Sequence, residues 1–145
     1  MLGLLGGGVK ARKALLLTLV LAACFWRSYP RQVATHADLL VAMAQKGADL
    51  VAAGRLTAEN LPELIYPLER ARAFARSVHV RAGDVVPPSL VALEELIGRY
   101  RAFVDELDRV RRTARGDAAR AALVMPLDAV VGAGERVREA LTRER

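Results

Sequence analysis

From Val33 onward, apolar and polar residues alternate with a period near 3.6, and Gly or Pro divides the pattern into four amphipathic segments. The first runs from Val33 to Ala53, with Val33, Leu40, Met43, Gly47 and Leu50 on one stripe and Thr35, Asp38, Gln45 and Asp49 opposite. Gly54 stands where a C-cap is expected. The second opens at Thr57, an N-cap residue flanked by Leu56 and Leu61 at staple spacing, with Asn60 and Glu63 offering a competing capping box. Leu68, Ala71, Ala75 and Val78 face inward, Arg70, Arg72 and Arg76 face out, and the helix ends before Gly83. Pro67 predicts a kink or break near Tyr66.

Pro87 and Pro88 close the loop over residues 81–89, and Ser89 is the expected cap of the third segment. That segment has the clearest period: Leu90, Leu93, Ile97, Tyr100, Val104, Leu107 and Val110 or Arg111 step by three and four. Its polar side sets Glu95, Asp105 and Asp108 four residues before Arg99, Arg109 and Arg112, a spacing that contributes about 0.2–0.5 kcal/mol per pair. Gly116 and Asp117 break the chain. The fourth segment carries Leu123, Leu127, Val130, Gly134, Val137 and Leu141 on its stripe, with Pro126 as a kink site. The pattern predicts an all-α domain, an antiparallel four-helix bundle with its second and fourth helices kinked by proline; a three-helix bundle with a broken second helix is the alternative.

Composition supports helices: 26 Ala, 22 Leu and 16 Val stand against only 2 Ile, and 5% of the 145 residues are aromatic. The length fits one globular domain. Many stripe positions are Ala or Gly, which allows close helix approach and buries little area per residue, as expected of a modest core or of a seam completed by a partner.

The first 32 residues read differently. Residues 14 to 26 form an uncharged, mostly apolar run preceded by Lys10, Arg12 and Lys13, and Arg27 ends it well short of the roughly 20 residues a spanning helix needs. A basic cluster, a short apolar core and the small residues Ala22 and Ala23 describe an export signal. Leu21-Ala22-Ala23-Cys24 resembles the lipobox of bacterial lipoproteins, with all four positions matching. The resemblance implies a diacylglyceryl group on the Cys24 sulfur and, once cleavage frees its amino group, Cys24 as the acylated first residue, with a fatty acid such as palmitate. It also implies cleavage between Ala23 and Cys24 and a protein held to a membrane outside the cytoplasm, in the periplasm. The chemistry suits the residue, since a thiolate is the nucleophile that takes the lipid, and the chain's single cysteine has no disulfide partner within it. The resemblance covers residues 9–24 and assigns an address without a fold or an activity.

The expected organisation is therefore a signal peptide at 1–23, a lipidated Cys24 and tether at 24–32, and the helical bundle at 33–145. The tether contains Phe25, Trp26, Arg27, Tyr29 and Arg31, residue types that favour the headgroup layer and anionic lipid, and Pro30 is expected to interrupt it. The apolar, glycine-rich stretch from Met1 to Val9 lies ahead of the basic cluster and fits no part of a signal, so Val9, read from a valine-type initiation codon, is the expected start, with Met1 the alternative. Loss of residues 1–23 removes three of the 22 basic residues, leaving 19 against 16 acidic and a formal charge of +3 in place of +6.

Nothing along the chain assembles a catalytic or metal constellation. His36 and His79 are the only histidines, no His-Glu-x-x-His occurs, and Cys-x-x-Cys-His is absent, so Met43 reads as core filler and not as a haem ligand. Ser28, Ser77 and Ser89 lack a nucleophile motif, and Glu94 and Glu95 point about 100° apart on a helix. No cofactor, metal or catalytic residue is expected. Arg109, Arg111, Arg112 and Arg115 form the densest basic run and read as a solvated helix end, with no nucleic-acid partner. Leu56-Thr57-Ala58-Glu59-Asn60 faintly resembles the Leu-Thr-x-x-Gln motif of the periplasmic Spy and CpxP chaperones, with Asn60 in place of the glutamine and no second copy. The expected function is a non-enzymatic envelope scaffold or assembly subunit, acting through an unknown protein partner or self-association. The alternatives are a periplasmic ligand-binding or chaperone module and an uncleaved protein of the inner membrane.

Overall fold

A computed structural model describes the backbone of residues 3–145 and the side chains from Gly8 onward; Met1, one of the two candidate first residues, lies outside the described residues. Its elements are α1 (Gly3–Ala52), α2 (Leu61–Ala82), α3 (Pro88–Thr113) and α4 (Gly116–Arg143), and no strand occurs among the described residues. The chain divides into two units, residues 1–32 and 33–145, and α1 contributes to both.

Residues 33–145 form an antiparallel four-helix bundle. Contacts between neighbouring helices fix its topology. His36 stacks on Phe74, setting the start of α1 in this unit against the later part of α2, while Tyr100 of α3 bonds Leu64 near the start of α2. Glu95 of α3 meets Arg136 of α4 at 2.9 Å, and Asp38 and Asp49 of α1 meet Arg138 and Arg120 of α4 at 2.6 and 3.2 Å. In each pair, residue numbers rise on one helix as they fall on the next.

The core is aliphatic and small. Leu, Val and Ala fill most of it, and Tyr100 and Phe103 are its largest fully buried side chains. On α3 every predicted stripe position from Leu90 to Val110 is buried, and Leu96 and Phe103 widen the stripe. On α1 the buried stripe is Val33, Ala37, Leu40, Ala44, Gly47, Ala48 and Val51, so Met43 and Leu50 lie at its edge, half-exposed. Leu127 of α4 is half-exposed in the same way.

Neither internal proline of the bundle breaks its helix. Pro67 lies within α2 and Pro126 within α4, and both helices run without interruption, which removes the three-helix alternative and the expected break near Tyr66. Pro67 is buried, so its ring packs into the core while leaving the Glu63 carbonyl without the usual amide donor. The next carbonyl, that of Leu64, receives the Tyr100 hydroxyl at 2.6 Å.

That hydroxyl carries a pH consequence. Burial pushes the Tyr100 phenol well above its ordinary value of 10, so the folded state favours the neutral form. The stabilisation is complete below pH ~10, where the unfolded phenol is also protonated, and is lost as the pH climbs toward the folded value. Denaturant titrations should therefore show stability falling above pH ~10, and Tyr100→Phe should flatten that fall while lowering neutral-pH stability by about 1 kcal/mol.

The helix ends are closed by identifiable groups. Gly54 has φ +68°, with its N–H donating to Val51 O at 3.0 Å and Arg55 N–H donating to Leu50 O at 2.8 Å, the two bonds of a Schellman motif. Before α2, Thr57 and Asn60 cap each other: Thr57 N–H donates to Asn60 Oδ1 at 2.7 Å and Asn60 N–H to Thr57 Oγ1 at 3.4 Å. These reciprocal bonds close the turn leading into α2, whose N-cap position is Asn60 and not the expected Thr57.

Ser89 is not the cap of α3. Pro87 holds that position, and Ser89 lies inside the first turn, completely buried. Its N–H donates to Glu144 Oε1 at 2.8 Å and its hydroxyl to Glu144 Oε2 at 2.7 Å, so a carboxylate 55 residues away closes the helix. A negative group there also complements the helix dipole. Glu144→Ala should lower stability by about 1–3 kcal/mol, and Ser89→Ala should recover part of the difference in a double-mutant cycle by chemical denaturation.

Candidate functional site

The lipobox residues lie on α1. Cys24 is an exposed free thiol, and the backbone around it is helical, including the segment from 24 to 32. Pro30 sits inside the helix and does not interrupt it as the sequence led one to expect. Upstream, Leu15, Leu16, Leu17, Leu19, Val20 and Leu21 each leave 57 to 62% of their surface exposed, on every side of the helix. Among the described residues no helix is long and apolar enough to cross a membrane.

Helical periodicity sorts the residues after Ala23 into two sets. Cys24, Arg27, Ser28 and Arg31 follow one another at intervals of three, one and three, which places them on one face, where they line a depression of about 300 Å³. The Ser28 hydroxyl donates to the Phe25 carbonyl at 3.0 Å and accepts the Gln32 amide at 2.8 Å. Turned away from this face, Phe25 and Trp26 meet edge to face at 5.3 Å, and Trp26 and Tyr29 lie 5.4 Å apart. Tyr29 is only 4% exposed and so is not placed for the headgroup role its residue type suggested; Trp26 is exposed.

The other residues singled out for chemistry are separated. His36 is half-buried on Phe74, ring centroids 4.9 Å apart, and burial together with the Arg70 charge holds it below the usual histidine value. His79 pairs with Glu94 across α2 and α3 on the surface. Glu95 turns to Arg136 on α4, so the adjacent carboxylates serve different helices. Among the described residues no three His, Cys, Asp or Glu side chains converge as a metal site would require. The basic run is interleaved with acids: Glu106 pairs with Arg109, Asp108 holds both Arg111 and Arg112, and the Arg115 side chain lies against Gly54. Of the three i, i+4 pairs expected on α3, only Asp108 with Arg112 forms. The Leu56–Asn60 stretch is accounted for by its capping turn.

On the bundle, α1 and α4 border two adjoining grooves that share Gln45. One, of about 350 Å³, is lined by Val41, Ala42 and Val131 beside the Asp38–Arg138 pair; the other, of about 410 Å³, by Ala48, Val124 and Leu127 beside Asp49–Arg120. Met125 projects from α4 with 82% of its surface exposed. These apolar surfaces were not legible in the sequence, because α4 carries apolar residues on both its inner and its outer face.

No protein-family model, no curated protein and no solved structure matches the chain.

Proposed function

We propose that the protein is a bacterial lipoprotein, acylated on Cys24 after removal of residues 1–23, whose helical bundle works by protein contacts outside the cytoplasm as an envelope scaffold or assembly subunit. The observation that carries this reading is Leu21-Ala22-Ala23-Cys24 with its thiol exposed, following a basic cluster and an apolar run too short to span a bilayer. Six large aliphatic side chains exposed around a single helix fit a segment handled by a membrane, since water is a poor solvent for such a surface. The protein-contact role is supported by the outer face of α4 around Val124 and Met125, an apolar surface of the kind that binding covers. The paired α1–α4 grooves favour a second reading, a periplasmic module that takes apolar ligands or unfolded segments.

Expression in a bacterial host with Cys24→Ser as the comparison tests the anchor. Wild-type chain is expected to lose residues 1–23, gain the mass of a diacylglyceryl group and fatty acid on Cys24, and fractionate with membranes; the variant gains no lipid and keeps residues 1–23. Masses that differ only by the Cys-to-Ser exchange, together with identical membrane retention of the two chains, overturn the proposal.

A further inference from the structure

We infer that the α1–α4 face of the bundle binds a second copy of the same chain, in a two-fold arrangement whose axis runs parallel to the helices. The face has an ion pair at each end and an uncharged middle. Asp38 with Arg138 closes one end and Asp49 with Arg120 the other, and at both ends the acid stands on α1 and the base on α4. Between them the two grooves are lined by Val41, Ala42, Gln45, Val124, Leu127 and Val131, none of them charged. An apolar centre inside a polar rim is the layout of a protein contact surface.

The signs of the charges select the occupant and its orientation. A two-fold axis along the groove lays α1 of each copy on α4 of the other with equal levels facing. Asp38 then meets Arg138 of the second copy, and Asp49 meets Arg120 of the second copy. An axis across the groove would run the copies in opposite directions, laying α1 on α1 and α4 on α4, so that Asp38 faces Asp49 and Arg138 faces Arg120. Glu135, which lines the groove beside Arg138, repels Asp38 in the first arrangement and attracts Arg120 in the second, one contact per copy against two that change sign. All four paired side chains are more than half exposed, and each arginine bonds only Oδ1 of its aspartate, which leaves Oδ2 to accept from a second guanidinium. Gln45 lines both grooves and so falls near the axis, where its amide meets the same amide of the other copy and can donate to it and accept from it.

The face extends about 17 Å along α1, from Asp38 to Asp49, and about 27 Å along α4, from Arg120 to Arg138, and two helices make it about 20 Å wide. Its area of about 400–500 Å² on each copy is below the roughly 800 Å² of a standard stable complex, so the dimer is weak and gains from a raised local concentration. The inference deepens the protein-contact role proposed above and rests on the lipoprotein reading for that concentration. The parallel axis puts Val33, where each bundle begins, at the same end of both copies, so both tethers start toward one membrane.

Sedimentation equilibrium of the full chain, in detergent matched to the solvent density, reads the protein mass alone. The wild type is expected to rise from one chain toward two, a twofold change, through the micromolar range. Arg120→Glu with Arg138→Glu makes both ends acidic, and Asp38→Lys with Asp49→Lys makes α1 basic like α4. Each variant alone should stay at one chain, and an equimolar mixture should return to two, which also shows that both are folded, as expected when only exposed ion pairs are lost. The orientation is read by placing photoreactive p-benzoylphenylalanine at Val124 and mixing heavy-isotope-labelled with unlabelled chains. Adducts between chains are expected on α1 around Asp49, which borders the same groove as Val124.

A wild type that stays at one chain at every concentration overturns the inference and leaves the grooves to a ligand or another protein. Dimers that persist unchanged in both charge variants overturn it in favour of a different surface, and adducts on α4 of the other copy overturn the parallel axis. Mass analysis of Cys24 in the same preparation separates the two proposals: dimers of chains without a lipid remove only the lipoprotein reading, and lipidated chains that stay single remove only this one.

Discussion

Phe103→Ala is expected to lower the stability of the bundle by about 3–5 kcal/mol, read as a reduced denaturant midpoint at unchanged slope. Phe103 is fully buried on α3, and with Tyr100 it is one of the two largest fully buried side chains among the described residues, in a core built mostly from Leu, Val and Ala. A core built mostly of aliphatic and alanine side chains makes the site hard to repair. An alanine or valine moving toward the vacated ring brings little volume with it, and close packing of short side chains holds the backbones at fixed separation, so most of the cavity persists. Val91→Ala on the same helix provides the contrast, because Val91 is exposed and its truncation should change stability by no more than about 0.5 kcal/mol. A Phe103→Ala loss below about 1 kcal/mol would mean that the core collapses around the gap and is packed far less specifically than its burial indicates.

The unequal legibility of the helices has the same origin. On α3, bulky residues at Leu90, Leu93, Ile97, Tyr100, Val104 and Leu107 contrast with acids and arginines, so one face alone can be inside, and the structure buries each of them. On α1, alanines occupy positions on several faces and alanine carries little preference for either environment. The stripe drawn through Met43 and Leu50 is therefore displaced by one residue from the buried Ala44 and Val51. Long-range partners were not legible at all. Nothing local distinguishes Ser89 as a capping residue from Ser89 as the recipient of a carboxylate 55 residues away, and nothing local sends Glu95 to Arg136 in place of Arg99.

The site near the N-terminus divides along the same line. The four residues ending at Cys24 form a contiguous pattern that needs no fold to be recognised. The common face of Cys24, Arg27 and Arg31 depends on the helix continuing through Pro30, and proline is a poor helix interior residue by about 3 kcal/mol, so local reasoning places a break there. Pro67 misleads in the same direction where a break is expected near Tyr66, because packing along a helix outweighs one lost hydrogen bond.

A single substitution, glycine to alanine, should change stability in opposite directions at two helical positions. At Gly98, on the exposed side of α3, an added Cβ meets nothing within 4 Å, so Gly98→Ala should stabilise by about 0.5–1 kcal/mol through reduced freedom of the unfolded chain. At Gly47 the same methyl group would stand 2.7 Å from Leu107 Cδ1 and 3.3 Å from Leu64 Cδ1. Those leucines belong to α3 and α2, and both are fully buried, so neither can swing into solvent to make room. The helices must separate or both side chains must leave their preferred rotamers, and overpacking of that kind costs about 1–3 kcal/mol, more than the helix-propensity gain. Gly47 therefore sets how closely α1 can approach α2 and α3. Thermal or chemical unfolding of the two variants tests this directly. If Gly47→Ala is as stabilising as Gly98→Ala, the approach of the three helices at this point is loose and the small residues of α1 serve propensity and not packing. If the signs differ, the alanine and glycine content of α1 is a packing requirement, and Leu107→Ala should relieve the clash at Gly47→Ala, with the double variant more stable than the sum of the single losses predicts.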